Sequence, residues 1–275
     1  MPTVDSQVHI WTGGAPTNPT HRQVHSFTAD ELLREMDAAG VDAALIHPPG
    51  WDPNANELAT AAALAHPTRL AIMGNFDLTN PDNRPLVQDW LSRPGQLGLR
   101  FTFLQPHQRS WPTDGTIDWL WPAAQRAGVP VAIHASTFLP TVGQIAQRHP
   151  GLKLIVDHLG GIGGTGFAND PAALTRLPEL LALAKHQNVA VKATGAPFYS
   201  RESYPFRDIH PYLKAIFEAF GPRRFFWGTD ITRIRCSWRE CVTLYTEELP
   251  WLGEADKRLV MGQAVCDWLG WKLAS

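Results

Sequence analysis

Apolar residues gather in eight short runs along the chain: Val4–Trp11, Val41–Pro48, Leu70–Asp77, Leu97–Leu104, Val129–Ala135, Leu152–Gly160, Val189–Gly195 and Phe225–Asp230. Each has the length of a buried strand, and the stretches between them carry helical periodicity. Thr28 followed by Glu31 reads as a capping box, with Gly40 closing that helix. Further helices are expected over Asn54–Ala65, Pro81–Leu91, Ile117–Ala127, Leu139–Arg148, Pro171–His186, Phe206–Phe220, Ser237–Glu248 and Glu254–Leu269. Pro122 predicts a kink or a preceding 3₁₀ turn in the helix that holds it. Strand–helix repeated eight times predicts an α/β fold, a (β/α)₈ TIM barrel. Such a barrel takes about 250 residues, so one domain over 1–275 is expected from a chain of 275 residues.

In that fold the C-terminal ends of the strands build the active site. The ionisable residues of this chain concentrate there. The runs end in or near Gln7 and His9, His47, Asp77, Arg100, His134, Asp157 and His158, Lys192, and Asp230. Long βα connections over Gly13–Phe27, Gln105–Thr116, Gly160–Asp170 and Pro197–Pro205 fall on the same face and are expected to be lids or binding loops.

Charge narrows the partners. The formal net charge is −2 with no long run of like sign, which argues against nucleic acid or an anionic membrane. No apolar stretch approaches the roughly 20 residues of a membrane span. A first strand beginning by Val4 leaves no room for a signal peptide. Three cysteines, Cys236, Cys241 and Cys266, do not make a disulfide framework. The expectation is a cytoplasmic protein acting on a small molecule. Sequence offers nothing on its oligomeric state. Of the 11 tryptophans, Trp11 and Trp51 follow strand ends and are candidates to line a pocket for a flat, partly apolar ligand.

Side chains of a strand alternate faces, so Asp5, Gln7 and His9 point the same way, with His9 nearest the barrel mouth. The same alternation puts Asp157 and His158 on opposite faces, so Asp157 is not expected to orient His158. Arg100 stands in an apolar strand and needs an acceptor. It is read as a grip on a substrate carboxylate or carbonyl, or as a partner of Asp5 or Asp77. Lys192 carries the same two readings. For Asp230 the alternative to chemistry is a salt bridge to Arg233 or Lys192. Gly161-Ile162-Gly163-Gly164-Thr165-Gly166 matches a dinucleotide-binding glycine pattern. It lacks the prompt helix and the acidic residue at the next strand end that such a site needs. No nucleophile elbow of the serine hydrolases is present.

Asp5-x-Gln7-x-His9, Val156-Asp157-His158-Leu159-Gly160, Gly228-Thr229-Asp230 and the Met261–Trp271 segment occur in that order. With them the chain resembles the amidohydrolase superfamily, in the lactonase-like branch related to 2-pyrone-4,6-dicarboxylate lactonase. The resemblance implies a hydrolase that opens a small, anionic lactone or related cyclic ester. Asp230 would activate water, and His158, His9 and His134 would polarise the carbonyl. Arg100, His134, Lys192, Gln7, Trp11 and Trp51 would contact substrate. The superfamily also implies two alternatives, a metal-dependent decarboxylase of an aromatic or dienoic acid and a lactone isomerase. Its strand-one pattern is Asp-x-His-x-His, and here Gln7 replaces the first imidazole. Gln is a poor zinc ligand, so no tightly bound metal is expected. Were a divalent ion such as Zn²⁺ held, His9, His134 and Asp230 would be its ligands.

Overall fold

The computed structural model describes residues 2–161 and 174–273. Eight parallel strands pair in sequence order. They are β1 (Val4–Val8), β2 (Ala43–Ile46), β3 (Leu70–Gly74), β4 (Gln96–Phe101), β5 (Val131–Ile133), β6 (Leu154–Val156), β7 (Val189–Thr194) and β8 (Phe225–Gly228). Strand β8 returns beside β1, where the Asp230 N–H donates to the Gln7 carbonyl at 2.9 Å. The result is a nearly closed (β/α)₈ barrel. Each strand is shorter than its apolar run, and buried residues such as Ile10, Trp11 and His47 continue past the strand ends.

The seam between β1 and β8 explains two motifs. The Asp5 carboxylate accepts from the backbone N–H groups of Gln7 and Thr229, both at 2.9 Å, and from the Thr229 hydroxyl. Burial pushes its pKa up to about 7. Asp5 therefore staples the barrel and does not face substrate. Gly228 is required by close approach. A Cβ there would stand 2.5 Å from Ser6 Oγ and from Thr194 Cγ2.

Helices α1 (Ala29–Ala39), α2 (Ala55–Ala65), α3 (Trp111–Asp114), α4 (Leu120–Ala127), α5 (Leu139–Arg148), α6 (Leu177–Ala182), α7 (His210–Phe220), α8 (Trp238–Thr246), α9 (Glu254–Arg258) and α10 (Ala264–Leu269) connect the strands and follow the last one. The capping box at Thr28 is present, and Gly40 closes α1 in the left-handed conformation. Several elements differ from the sequence expectation. Residues 81–92 form two 3₁₀ segments, since Pro85 interrupts any α-helix. Helix α4 starts at Leu120, which places Pro122 in its first turn and removes the expected kink. A π-helical segment at Leu259–Gln263 splits the last predicted helix into α9 and α10. The glycine pattern from 162 onward, and the start of the helix expected from Pro171, lie outside the described residues.

Candidate active site

Five strands are followed within two positions by the polar side chains of interest: His9, His47, His134, Asp157 with His158, and Asp230. His9, Arg100, His134, His158 and Asp230 line one cavity of about 450 Å³, together with Trp51, Phe76, Phe101, Phe103, Trp111 and Arg233. Three of these residues have left-handed backbone, with φ of 49° at Phe103, 53° at His158 and 55° at Asp230. Such conformations cost a non-glycine residue energy and cluster at functional sites. Here they turn the side chains off the strand ends into the mouth.

Asp230 is the hub. Its Oδ1 lies 3.2 Å from His9 Nε2, and its Oδ2 lies 3.0 Å from Arg233 Nη1 and 4.0 Å from His158 Nε2. Only 2% of the residue is exposed. Burial opposes its charge, yet His9 and Arg233 beside it hold the carboxyl well below the usual carboxylate range. His9 Nδ1 stands 2.6 Å from the His47 carbonyl and so donates to it, leaving Nε2 toward Asp230. The side chain of Arg233 lies over the Phe198 ring at 4.6 Å, and its Nε and Nη2 are buried without a hydrogen-bond partner.

His158 is held from both sides. Lys192 Nζ approaches Gln7 Oε1 at 3.5 Å, which leaves the Gln7 amide NH₂ to donate to His158 Nε2 at 3.1 Å. His158 Nδ1 then donates to Thr194 Oγ1 at 3.0 Å. Burial lowers its pKa well below the ordinary histidine value, so the ring is neutral.

Several expected contacts stand elsewhere. Lys192 and Gln7 are fully buried beneath the cavity and do not line it. Lys192 Nζ lies 3.2 Å from Asp157 Oδ1 and 2.9 Å from His47 Nε2. Burial pushes its pKa down to about 8, against the pull of Asp157. Asp157 also accepts from Arg100 Nε at 2.8 Å. Burial opposes its charge too, but Lys192 and Arg100 flank it and keep it ionised. The internal partner of Arg100 is thus Asp157, neither Asp5 nor Asp77, while Arg100 still borders the cavity. Trp11 is fully buried, with its indole N–H donating to the Val24 carbonyl. It supports Trp51, whose ring centroid is 5.6 Å away, and Trp51 alone of the two lines the cavity. The Trp11 difference arises because β1 ends at Val8, so the alternation of faces no longer applies at position 11.

His21 and Arg233 complete the site, and the strand-end pattern marks neither. His21 comes from the loop after β1. Its Nδ1 is 2.8 Å from Thr232 Oγ1, and its ring lies 4.9 Å from that of Trp51 and 5.4 Å from that of His9. Burial lowers its pKa to about 3. One ligand atom from each of His9, His21 and Asp230 lies within 4.8 Å of the others. Among the described residues this is the metal-capable trio, with His21 where His134 was expected. The position of His21 in a long βα loop is the signal that sequence offers. The path of that loop back over the mouth is not written in any local pattern.

An eight-stranded parallel barrel with a buried carboxylate, imidazoles and guanidinium groups at its C-terminal mouth defines an enzyme of the acid–base hydrolytic class. The amidohydrolase family model matches residues 4–264, and the chain belongs to that family. It is 24% identical to 4-sulfomuconolactone hydrolase of Hydrogenophaga intermedia over 250 residues, which span 84% of this chain and 75% of that protein. It is 31% identical to L-fucono-1,5-lactonase of Burkholderia ambifaria over 99 residues, 34% of this chain and 30% of that one. The fold is similar to that of an amidohydrolase from Burkholderia multivorans with bound zinc, at a TM-score of 0.81 and 21% identity, covering 98% of this chain and 99% of the other. Among the described residues no helix is long and apolar enough to cross a membrane.

Proposed function

We propose that the protein hydrolyses a small lactone, with Asp230 as the group that takes a proton from the attacking water. The observation that carries this reading is the buried Asp230 carboxylate lining the cavity, 3.2 Å from His9 Nε2 and 3.0 Å from Arg233 Nη1. A carboxylate alone with a depressed pKa is a weak base. Paired with His9, it accepts the proton into a shared contact, and the Nδ1 bond to the His47 carbonyl keeps the imidazole in place. Water oxygen forms a bond to the lactone carbonyl carbon. The tetrahedral oxyanion is stabilised by Arg233, whose Nε and Nη2 are buried donors without partners. Collapse breaks the acyl–oxygen bond, the stored proton passes to the ring oxygen, and a hydroxy acid leaves.

Both ring nitrogens of His158 already have partners, so carbonyl polarisation is assigned to Arg233, and His158 becomes a positioning residue. Arg100 and Arg233 favour an anionic substrate. Trp51, Phe76 and Phe101 supply flat apolar walls. His134 borders the same cavity and contacts substrate. Two relatives named as lactone-ring hydrolases, 4-sulfomuconolactone hydrolase and L-fucono-1,5-lactonase, support the substrate class. A divalent cation held at His9 and Asp230 would act as a Lewis acid on water or the carbonyl oxygen. When no cation stands between Asp230 Oδ1 and His9 Nε2, these two groups take, hold and return the proton.

A panel of anionic lactones, simple esters and aromatic acids tests the reading, with ring opening and CO₂ release measured separately. Ring opening of at least one lactone is expected. Release of CO₂ with no hydrolysis across the panel would move the chain to the decarboxylases.

A further inference from the structure

We infer that His21 completes a three-ligand divalent-cation site with His9 and Asp230, so that a loop residue supplies the imidazole that strand β1 lacks at Gln7. This goes beyond the hydrolysis reading and does not depend on it. Gln7 itself is spent, its amide lying between His158 Nε2 and Lys192 Nζ beneath the cavity.

Both imidazoles are oriented as metal-binding imidazoles are, through the nitrogen that does not ligate. His9 Nδ1 donates to the His47 carbonyl, and His21 Nδ1 meets Thr232 Oγ1. Each ring is left with Nε2. Asp230 Oδ2 is taken by Arg233 Nη1, while Oδ1 is buried and makes no hydrogen bond. Oδ1 lies 3.2 Å from His9 Nε2. In a neutral ring with Nδ1 protonated, that nitrogen carries a lone pair. A lone pair facing a carboxylate is repulsive unless a proton or a metal cation stands between them.

The spacing admits the second occupant. Tetrahedral ligands at about 2.0–2.1 Å from zinc stand roughly 3.3 Å apart, close to the 3.2 Å between His9 Nε2 and Asp230 Oδ1. His21 closes the trio from within 4.8 Å, and it can do so because it sits on a long loop and not on a strand. All three residues are less than a tenth exposed, at 4%, 7% and 2%. Two imidazoles and one carboxylate suit Zn²⁺ or Co²⁺ over Mg²⁺ or Ca²⁺, and all three residues border the cavity.

The test is Co²⁺ titration of the chelator-stripped full chain, followed by the visible absorption of the bound ion. Wild type should take up one Co²⁺ per chain with a four-coordinate spectrum. His21→Ala should weaken binding by more than about 100-fold, above the 10–100-fold typical of losing an outer-shell partner. His134→Ala should leave the affinity within a few-fold. His21→Cys should keep the ion and add a thiolate-to-cobalt charge-transfer band, which reports ligation directly even if His21→Ala folds poorly. The inference is overturned if wild type shows no saturable spectrum. It is equally overturned if His134→Ala removes the signal and His21→Ala spares it, or if His21→Cys binds without the new band. Lactone turnover by the stripped protein is a separate readout, so failure of the cation site and failure of the hydrolysis reading are distinguishable.

Discussion

Asp230→Asn should lower kcat on the lactone that the protein opens by roughly 10²–10⁴-fold, the range for a positioned acid–base group. The substitution preserves shape and keeps an oxygen for the 3.0 Å contact with Arg233 Nη1. It removes the negative charge that makes the His9 contact a proton acceptor. The loss should fall on kcat and kcat/KM alike, because the proton transfer exists only on the way to the transition state. Arg100→Met, by comparison, removes binding of an anionic group and should act mainly through KM. Near wild-type turnover by Asp230→Asn would end the water-activation role of this carboxylate. A thermal melt of the variant separates a chemical loss from a folding loss.

The second large effect is on stability. Lys192→Met should destabilise the fold by about 3–5 kcal/mol, the cost of breaking a buried pair from one side. Asp157 would remain charged in the barrel with Arg100 as its one cationic partner, and Lys192 Nζ would no longer reach His47. Urea unfolding measures the change. Adding Asp157→Asn should recover only part of it, since it removes the buried negative charge but leaves Arg100 with a neutral amide in place of its carboxylate partner. At temperatures where the variant is folded, KM should change little, because Lys192 is fully buried and does not border the cavity. Unchanged stability with a raised KM would instead make Lys192 a substrate contact.

Most of the barrel is legible in the sequence because each strand falls in a short, mostly apolar run with polar chemistry at or near its end. His9, His134, His158 and Asp230 can be located by that rule alone. Asp157 does not orient the His158 ring, as expected, because its carboxylate meets Arg100 and Lys192 while the ring meets Gln7 and Thr194; both residues stand past the end of β6, so the separation does not come from strand alternation. Depth along the barrel is not legible. Parity says that a side chain points inward, but not whether it reaches the mouth, and so Gln7 and Lys192 were expected at the substrate and lie below it. The partner of Arg100 escapes sequence for a similar reason. A residue two strands away is set by barrel closure, not by anything near Arg100 in sequence. His21 is hidden in the aperiodic Gly13–Phe27 loop, although the length of that loop marks it as a binding segment. Arg233 is visible in the sequence only as a salt-bridge partner of Asp230. That contact is present, and the further role follows from its two unpartnered buried donors, which only the folded site reveals.

The central claim is that water, activated at Asp230, attacks the lactone carbonyl and that the acyl–oxygen bond breaks. Turnover of a lactone substrate in H₂¹⁸O, followed by mass spectrometry of the fragmented product, tests it most directly. The expected product carries one ¹⁸O in its new carboxylate and none in its new hydroxyl. Label in the hydroxyl, or a product with no label at all, would contradict the account.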